Sequence, residues 1–357
     1  VEKKKCIKST IVVTLLCVNC RYEVQALIGR GSFSRVVRAK HRQTHEPVAI
    51  KLLERRTGYQ SYLVELGVLQ RVKHQNVIQL KEVFQTPHRI YLVLELATGG
   101  ELLERVIARG TFRERDATWA LRMVVSGLTH LHSLGIIHRD LKPENLLYYH
   151  PGKDSRLIIT DFGLAWWNKK LQGVSFENVE STVTSGQSVS ACGGEQEAWA
   201  VRTLCGTPEF LAPETVARRP CGTPVDMWAL GIISFILLSG SMPFQQSSQT
   251  RLFRAILNGR YNFSGDSFIS ELLTLEPGDR MSAQQALQHP WLLSMASSSS
   301  NKNLHRSISR NLQRQASRAS GSSWRSSSSV LAPGSRISQR SGQRRIQVTL
   351  KTPLSED

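Results

Sequence analysis

The sequence predicts an α+β fold in two unequal lobes, a small β-sheet lobe with one important helix followed by a larger helical lobe. Short β-branched and aromatic runs at 22–28, 36–39 and 48–53 alternate with Gly and polar turns, and similar runs recur at 77–83 and 91–96. Residues 62–72, with Leu66 and Leu69 at helical spacing, supply the one helix among them. After Gly99-Gly100 the pattern becomes helical. Residues 117–134 form a long helix, 227–238 are so continuously apolar that they must form a buried central one, and 250–257 and 282–288 are shorter helices. A chain of 357 residues is long enough for one large two-lobed domain or two modest ones.

Three segments follow. Residues 1–20 are a lead-in without motifs, 21–293 form the main domain (lobes 21–97 and 98–293), and 294–357 are a Ser/Arg-rich tail. Within the domain, residues 168–200 are rich in Ser, Gly and Val without a period and read as a long loop. The tail has few apolar residues to offset ordering entropy and reads as mostly disordered. The net charge is +18, and the residues from Ala296 onward carry half of that excess. Such a balance favours anionic partners. The tail's single aromatic, Trp324, offers no stacking platform, so no stable nucleic-acid complex is expected.

The six cysteines show no framework spacing. Cys17 and Cys20 make a lone C-x-x-C, read as incidental thiols or, alternatively, half of a metal site. Reduced thiols point inside the cell, to cytoplasm or nucleus. The apolar run 11–18 is too short to span a bilayer. With Val1 in first place, the chain is silent on N-terminal lipidation.

Four strings carry chemistry. Gly29-x-Gly31-x-x-Ser34-x-Val36 lies between two strands, where glycine lets the backbone approach phosphates closely; a plain hairpin is the alternative. Val48-Ala49-Ile50-Lys51 puts an ammonium in an apolar strand, which is costly unless it is paired. Glu65 on the following helix is the available partner, and a lysine reaching water from a strand end is the plainer reading. His138-Arg139-Asp140-Leu141-Lys142-Pro143-Glu144-Asn145 gathers a carboxylate, a cation and an amide in one loop. Asp161-Phe162-Gly163 follows an apolar run. Phosphoryl transfer needs these types: a carboxylate to take a hydroxyl proton, oxygen ligands for Mg²⁺, and a cation to offset charge on the transferring group.

Together these strings resemble the protein-kinase signature set over residues 22–293, and the resemblance implies the bilobal protein-kinase fold. It also implies ATP and Mg²⁺ as cofactors. Asp140, Lys142 and Asn145 become catalytic, with Asp140 as base, and Asn145 and Asp161 become metal ligands. The nucleotide site would comprise Leu27, Ile28, Gly29, Arg30, Gly31, Ser32, Phe33, Ser34, Val36, Ala49, Lys51, Glu65, Glu95, Leu96, Leu147 and Asp161. Leu94 would be gatekeeper beside a hinge of Glu95 and Leu96. Leu69, Leu80, His138 and Phe162 would stack as a spine, Asp226 would anchor the catalytic loop, and Glu214 would pair with Arg280. Lys142 with Thr207 resembles kinases that act on Ser/Thr of protein substrates. "GGEL" at 99–102 and His289-Pro290-Trp291 resemble the calmodulin-dependent group, and Tyr148-Tyr149-His150-Pro151 the protein serine kinase H family. Glu101 would meet a basic residue upstream of the target hydroxyl, and Thr203 is a candidate phosphosite facing Arg139.

The sequence departs from the family in its lead-in and at two internal places. The stretch from Asp161 to Glu214 is about twenty residues long in excess, a cheap change because closure entropy grows slowly. Between Tyr261 and Arg280 it is about ten residues short, which predicts a cavity or an exposed groove. A catalytically impaired pseudokinase or splice form acting as a binding module is therefore the alternative reading. In the tail, Leu304, Ile308 and Leu312 recur with Arg306, Arg310, Arg314 and Arg318, a basic amphipathic pattern over 302–318. That pattern suits calmodulin, the active site or an acidic membrane, and a solvated charge run is the alternative.

Overall fold

The computed structural model describes residues 18–31, 34–54, 61–86, 88–108, 112–167, 205–262, 267–294, 303–306 and 308–311. Ser32, Phe33, Thr203, the long loop and most of the tail lie outside these described residues, as does Cys17, while Cys20 is a free, exposed thiol.

The small lobe opens with one turn of helix, α1 (Val18–Arg21), followed by β1 (Tyr22–Arg30), β2 (Ser34–His41) and β3 (Pro47–Glu54). Helix α2 (Ser61–Leu69), β4 (Leu80–Gln85) and β5 (Arg89–Glu95) complete it. The five strands form an antiparallel sheet in the order β1-β2-β3-β5-β4. Side chains alternate across it. Val48, Ile50 and Val93 pack with Tyr22, Ala39 and Phe84 on one face, while Ala49, Leu53, Leu92 and Leu94 join the main core on the other. Lys51 shares the parity of Ala49 and Leu53, which aims its ammonium at that inner face.

The strand expected over 77–83 starts later, at Leu80. Val77 bridges Ile159 instead, Ile78 N–H donates to Ile159 O at 3.0 Å, and the Asn76 amide donates to Leu157 O at 2.8 Å. These residues join the lobes, and their apolar character reflects burial at that joint.

The large lobe runs α3 (Leu102–Ala108), α4 (Glu114–Ser133), β6 (Ile136–Ile137), β7 (Leu146–Tyr148), β8 (Leu157–Ile159) and β9 (Trp166–Trp167). It continues with α5 (Pro213–Val216), α6 (Pro224–Ser239), α7 (Gln249–Asn258), α8 (Ser267–Leu272), α9 (Ala283–Leu287) and α10 (Pro290–Leu293). Helix α4 begins before 117 because Asp116 accepts the N–H of Arg113 at 2.8 Å and closes its first turn. Helix α6 is buried from Val225 to Leu237, as its unbroken apolar run requires. Gly240 ends it at φ 74°, a left-handed conformation that glycine adopts without strain.

Around the shortened 261–280 stretch, among the described residues, α8 buries Phe268, Ile269 and Leu272, and Leu273 packs where a Cβ on Gly231 would stand, 2.7 Å from its Cδ2. Leu257 and Leu275, beside the turn at Gly259, are exposed at 45% and 42%. The tail, in turn, does not leave the domain at 293. Leu304 and Ile308 join the main core, the latter wholly buried. Asn303 accepts the Phe112 N–H at 3.1 Å, His305 Nε2 meets Ile107 O at 3.0 Å, and the Asn311 amide donates to Ser239 O at 3.0 Å. Residues 303–306 and 308–311 thus lie across the end of α3, the start of α4 and the end of α6.

Candidate active site

The centre of the site is a buried ion cluster. Lys51 Nζ lies 2.6 Å from Glu65 Oε1 and 2.8 Å from Asp161 Oδ1. Lys51 comes from β3, Glu65 from α2 and Asp161 from the turn after β8, so the contact exists only when both lobes are in place. Burial works against the Lys51 ammonium, but the carboxylates of Glu65 and Asp161 outweigh it and push its pKa above the usual lysine range. Burial likewise opposes the Asp161 carboxylate, and Lys51 pulls it below its ordinary value. Two carboxylates share one cation, so the cluster can accept a further positive charge. The Asp161 side chain is half exposed, towards the cleft.

The catalytic loop is held from beneath. Buried Asp226 on α6 accepts the backbone N–H of His138 and of Arg139, each at 2.9 Å, and faces His132 Nε2 at 2.9 Å. Burial raises its carboxyl, yet these bonds, His132's first, hold it below the carboxylate range. They also fix Arg139 at φ 69° and so re-aim the chain towards Asp140. A second left-handed residue, Asp161 at φ 63°, re-aims the chain at the other side of the cleft. His138 meets Phe162 edge-on at 5.1 Å, and Phe162 belongs to the same core as Leu69 and Leu80.

Asp140 sits in a dense polar net. Its Oδ1 accepts the Thr207 N–H at 3.0 Å and hydroxyl at 2.8 Å, and its Oδ2 lies 2.9 Å from Lys142 Nζ. Lys142 also donates to Thr207 Oγ1 at 2.9 Å. The Asn145 amide nitrogen donates to Asp140 O at 2.8 Å, which turns its oxygen away from Asp140. Thr160 fixes Asn145 from behind, donating to its carbonyl from both N–H and hydroxyl at 2.9 and 3.0 Å.

Among the described residues the cleft above is lined by the glycine turn, the hinge and β7. Gly31 N–H donates to Ser34 O at 2.9 Å, and a Cβ on Gly31 would stand 2.8 Å from Ser34 Oγ. A side chain at 31 would have to turn the Ser34 hydroxyl aside, and Ser34 occupies the turn where the family has a third glycine. Leu27 and Ile28 are half exposed at its rim beside Gly29 and Arg30; Ala49 is buried, Val36 partly so, and Leu147 on β7 forms the floor. Leu94 and Leu96 are buried at the hinge. Glu95 does not present its side chain: the carboxylate accepts the Gln79 N–H at 3.1 Å and meets Arg156 at 2.5 Å, and its own N–H donates to Gln79 O at 3.0 Å, leaving only its carbonyl for a purine. Residue type alone could not show this, because Arg156 is distant in sequence. His132, Thr160 and Arg156 were not singled out beforehand; each acts on a neighbour that was.

Residues 22–292 match the family model described as "Protein kinase domain". The chain belongs to the protein kinase family. Human serine/threonine-protein kinase H1 is 54% identical over 312 residues, covering 84% of this chain and 68% of that protein. Human serine/threonine-protein kinase H2 is 51% identical and covers 84% and 74%. Rat calcium/calmodulin-dependent protein kinase type 1B is 38% identical over 284 residues, covering 76% and 75%. This kinase is thus an ATP-dependent protein serine/threonine kinase, and the Lys51–Glu65–Asp161 contact lends the pseudokinase alternative no support. Kinases of this family use ATP and Mg²⁺ in general, and the donor set fits them: a half-exposed carboxylate, an amide oxygen and an ammonium around one cleft. No helix among the described residues is long and apolar enough to cross a membrane.

Proposed function

We propose that this kinase phosphorylates Ser and Thr hydroxyls that lie downstream of basic residues, with Asp140 taking the hydroxyl proton. In this reading Lys142 offsets charge on the transferring group and Lys51, held by Glu65, grips the nucleotide phosphates. Asn145 and Asp161 hold Mg²⁺, which when bound neutralises the phosphate oxygens. The glycine turn from Leu27 to Val36, with Ala49, Leu96, Leu147 and the Glu95 carbonyl, encloses the purine. The net around Asp140 carries the assignment, because it places a carboxylate and a cation on one small volume beside the cluster at Asp161.

Basic direction is supported by a trio of carboxylates at the mouth of the cleft. Burial, and then the charges of Glu104 and Glu144, push the Glu101 pKa up to about 7. A substrate arginine would be attracted to the ionised form, which predominates at pH 8 and is largely lost at pH 6. The KM for a peptide with arginine upstream of serine is therefore expected to rise as pH falls across that range. Glu101→Gln should raise that KM about fivefold at pH 8, the scale of a partly exposed ion pair, and flatten its pH dependence. A pH-independent KM, or a variant indistinguishable from wild type, would remove Glu101 from this role.

We further assign residues 302–318 as a calmodulin-binding segment and place the kinase in the cytoplasm or nucleus, in keeping with the free thiols of Cys20, Cys205 and Cys221. The apolar anchors Leu304 and Ile308 are buried against the large lobe, so calmodulin must first release them. Affinity then scales with the undocked fraction. Asn303→Ala loosens the docking without removing an apolar anchor, so it should tighten apparent calmodulin binding in a fluorescence titration. Absence of calcium-dependent binding by both proteins would remove calmodulin as a partner.

A further inference from the structure

The start of the activation segment carries two adjacent tryptophans, and the second makes contacts that the chemistry above does not use. Trp167 is buried, yet among the described residues its indole N–H has no hydrogen-bond partner. A buried donor without a partner is a cost that native structures rarely keep without reason. Its ring lies against α2 at Gly67, where an added Cβ would stand 3.3 Å from Trp167 Cζ2. Arg71, one turn on, lays its guanidinium over the same ring at 4.1 Å and donates to Gly67 O at 2.7 Å. Arg71 follows the end of α2 and folds back to Gly67, while Glu65 and Leu69 point inward to Lys51 and the core. On its other side, Trp167 pairs with Ile136, and β6 leads straight into His138.

We propose that Trp167 is a positioning residue, a latch in which its indole seats on Gly67 beneath Arg71 and holds α2 so that Glu65 reaches Lys51. The bare helix face at Gly67 admits the ring, the guanidinium clamps it, and the strand pair with Ile136 sets the ring's height relative to the catalytic loop.

The latch rests on Glu65 serving Lys51, so its test separates the two claims by a double-mutant cycle on kcat/KM for ATP. Trp167→Ala is expected to lower this quantity about tenfold to a hundredfold, the effect of misplacing a catalytic group by up to about an ångström. Trp167→Phe, which keeps a ring and loses the unpaired N–H, should restore most of it. Glu65→Gln should lower it too, and Trp167→Ala added to Glu65→Gln should cost little more, because the ring acts through that carboxylate. A merely structural role would multiply the two losses, and that outcome overturns the latch alone. Should Trp167→Ala fail to fold, Gly67→Ala, which displaces the ring by a few tenths of an ångström, takes its place in the cycle. Unaltered turnover in Glu65→Gln by itself would overturn the assignment of Glu65 and the latch with it.

Discussion

Asp140→Asn is expected to lower phosphate transfer to a serine peptide on the order of 10³-fold, the contribution of a positioned general base. The substitution is nearly isosteric, so the loss would come from chemistry. In the native net every neighbour of the carboxylate donates to it: Thr207 through N–H and hydroxyl, Lys142 through its ammonium and Asn145 through its amide. An amide at 140 keeps one acceptor but turns an NH₂ group towards a donor, and it cannot accept the hydroxyl proton. The ion pair with Lys142 is partly solvated, so its loss should cost the fold about 1 kcal/mol or less. Nucleotide affinity should change little, because Lys51, Glu65 and Asp161 remain as they were. Radiolabelled transfer at saturating ATP, read beside a thermal melt, checks both halves. Transfer within threefold of wild type, or background transfer by both proteins, would contradict the assignment of Asp140.

The parts of this site that could be read in the sequence are those whose physics is local. Lys51 stands out because an ammonium in an apolar strand needs a partner, and the helix that follows offers Glu65. Asp140, Lys142 and Asn145 are close enough along the chain that one loop must gather them. Asp226 and the Glu214–Arg280 pair came through resemblance, since nothing local marks a carboxylate at the start of an apolar helix as the support of a distant loop. What stayed hidden depends on contacts between remote segments. Glu95 turns its carboxylate to Arg156, and Trp167 seats on a glycine about a hundred residues upstream. Helices α3 and α8, of 7 and 6 residues, are too short to show a period. Leu304 and Ile308 looked too sparse to offset the ordering of a polar tail, and the groove among Phe112, Ile107 and Ser239 that receives them exists only after folding.

Arg280→Met is expected to destabilise the kinase by about 3–5 kcal/mol, the scale of breaking a buried ion pair and leaving one charge behind. Arg280 is fully enclosed and Glu214 nearly so, with no room for water to screen the loss. All of the guanidinium's donors are used. Two meet the Glu214 carboxylate at 2.7 and 2.9 Å, and the others reach the carbonyls of Pro224, Thr274 and Leu275 at 2.8, 2.9 and 3.2 Å. Methionine fills much of the volume but strands a carboxylate and three carbonyls. Because Pro224 opens α6, Glu214 lies in α5, and Thr274 and Leu275 follow α8, one side chain fastens three elements where the linker is shortest. Lysine should rescue only part of the loss, since a point charge cannot serve five directions. Glu214→Gln combined with Arg280→Met should be less harmful than Arg280→Met alone, because no charge is then left unpaired. Urea midpoints of the four proteins decide it. A midpoint unchanged in Arg280→Met would mean that Glu214 finds water or another cation, and that α5 is held beside α6 by the apolar contacts of Ala212, Val216 and Trp228 without it.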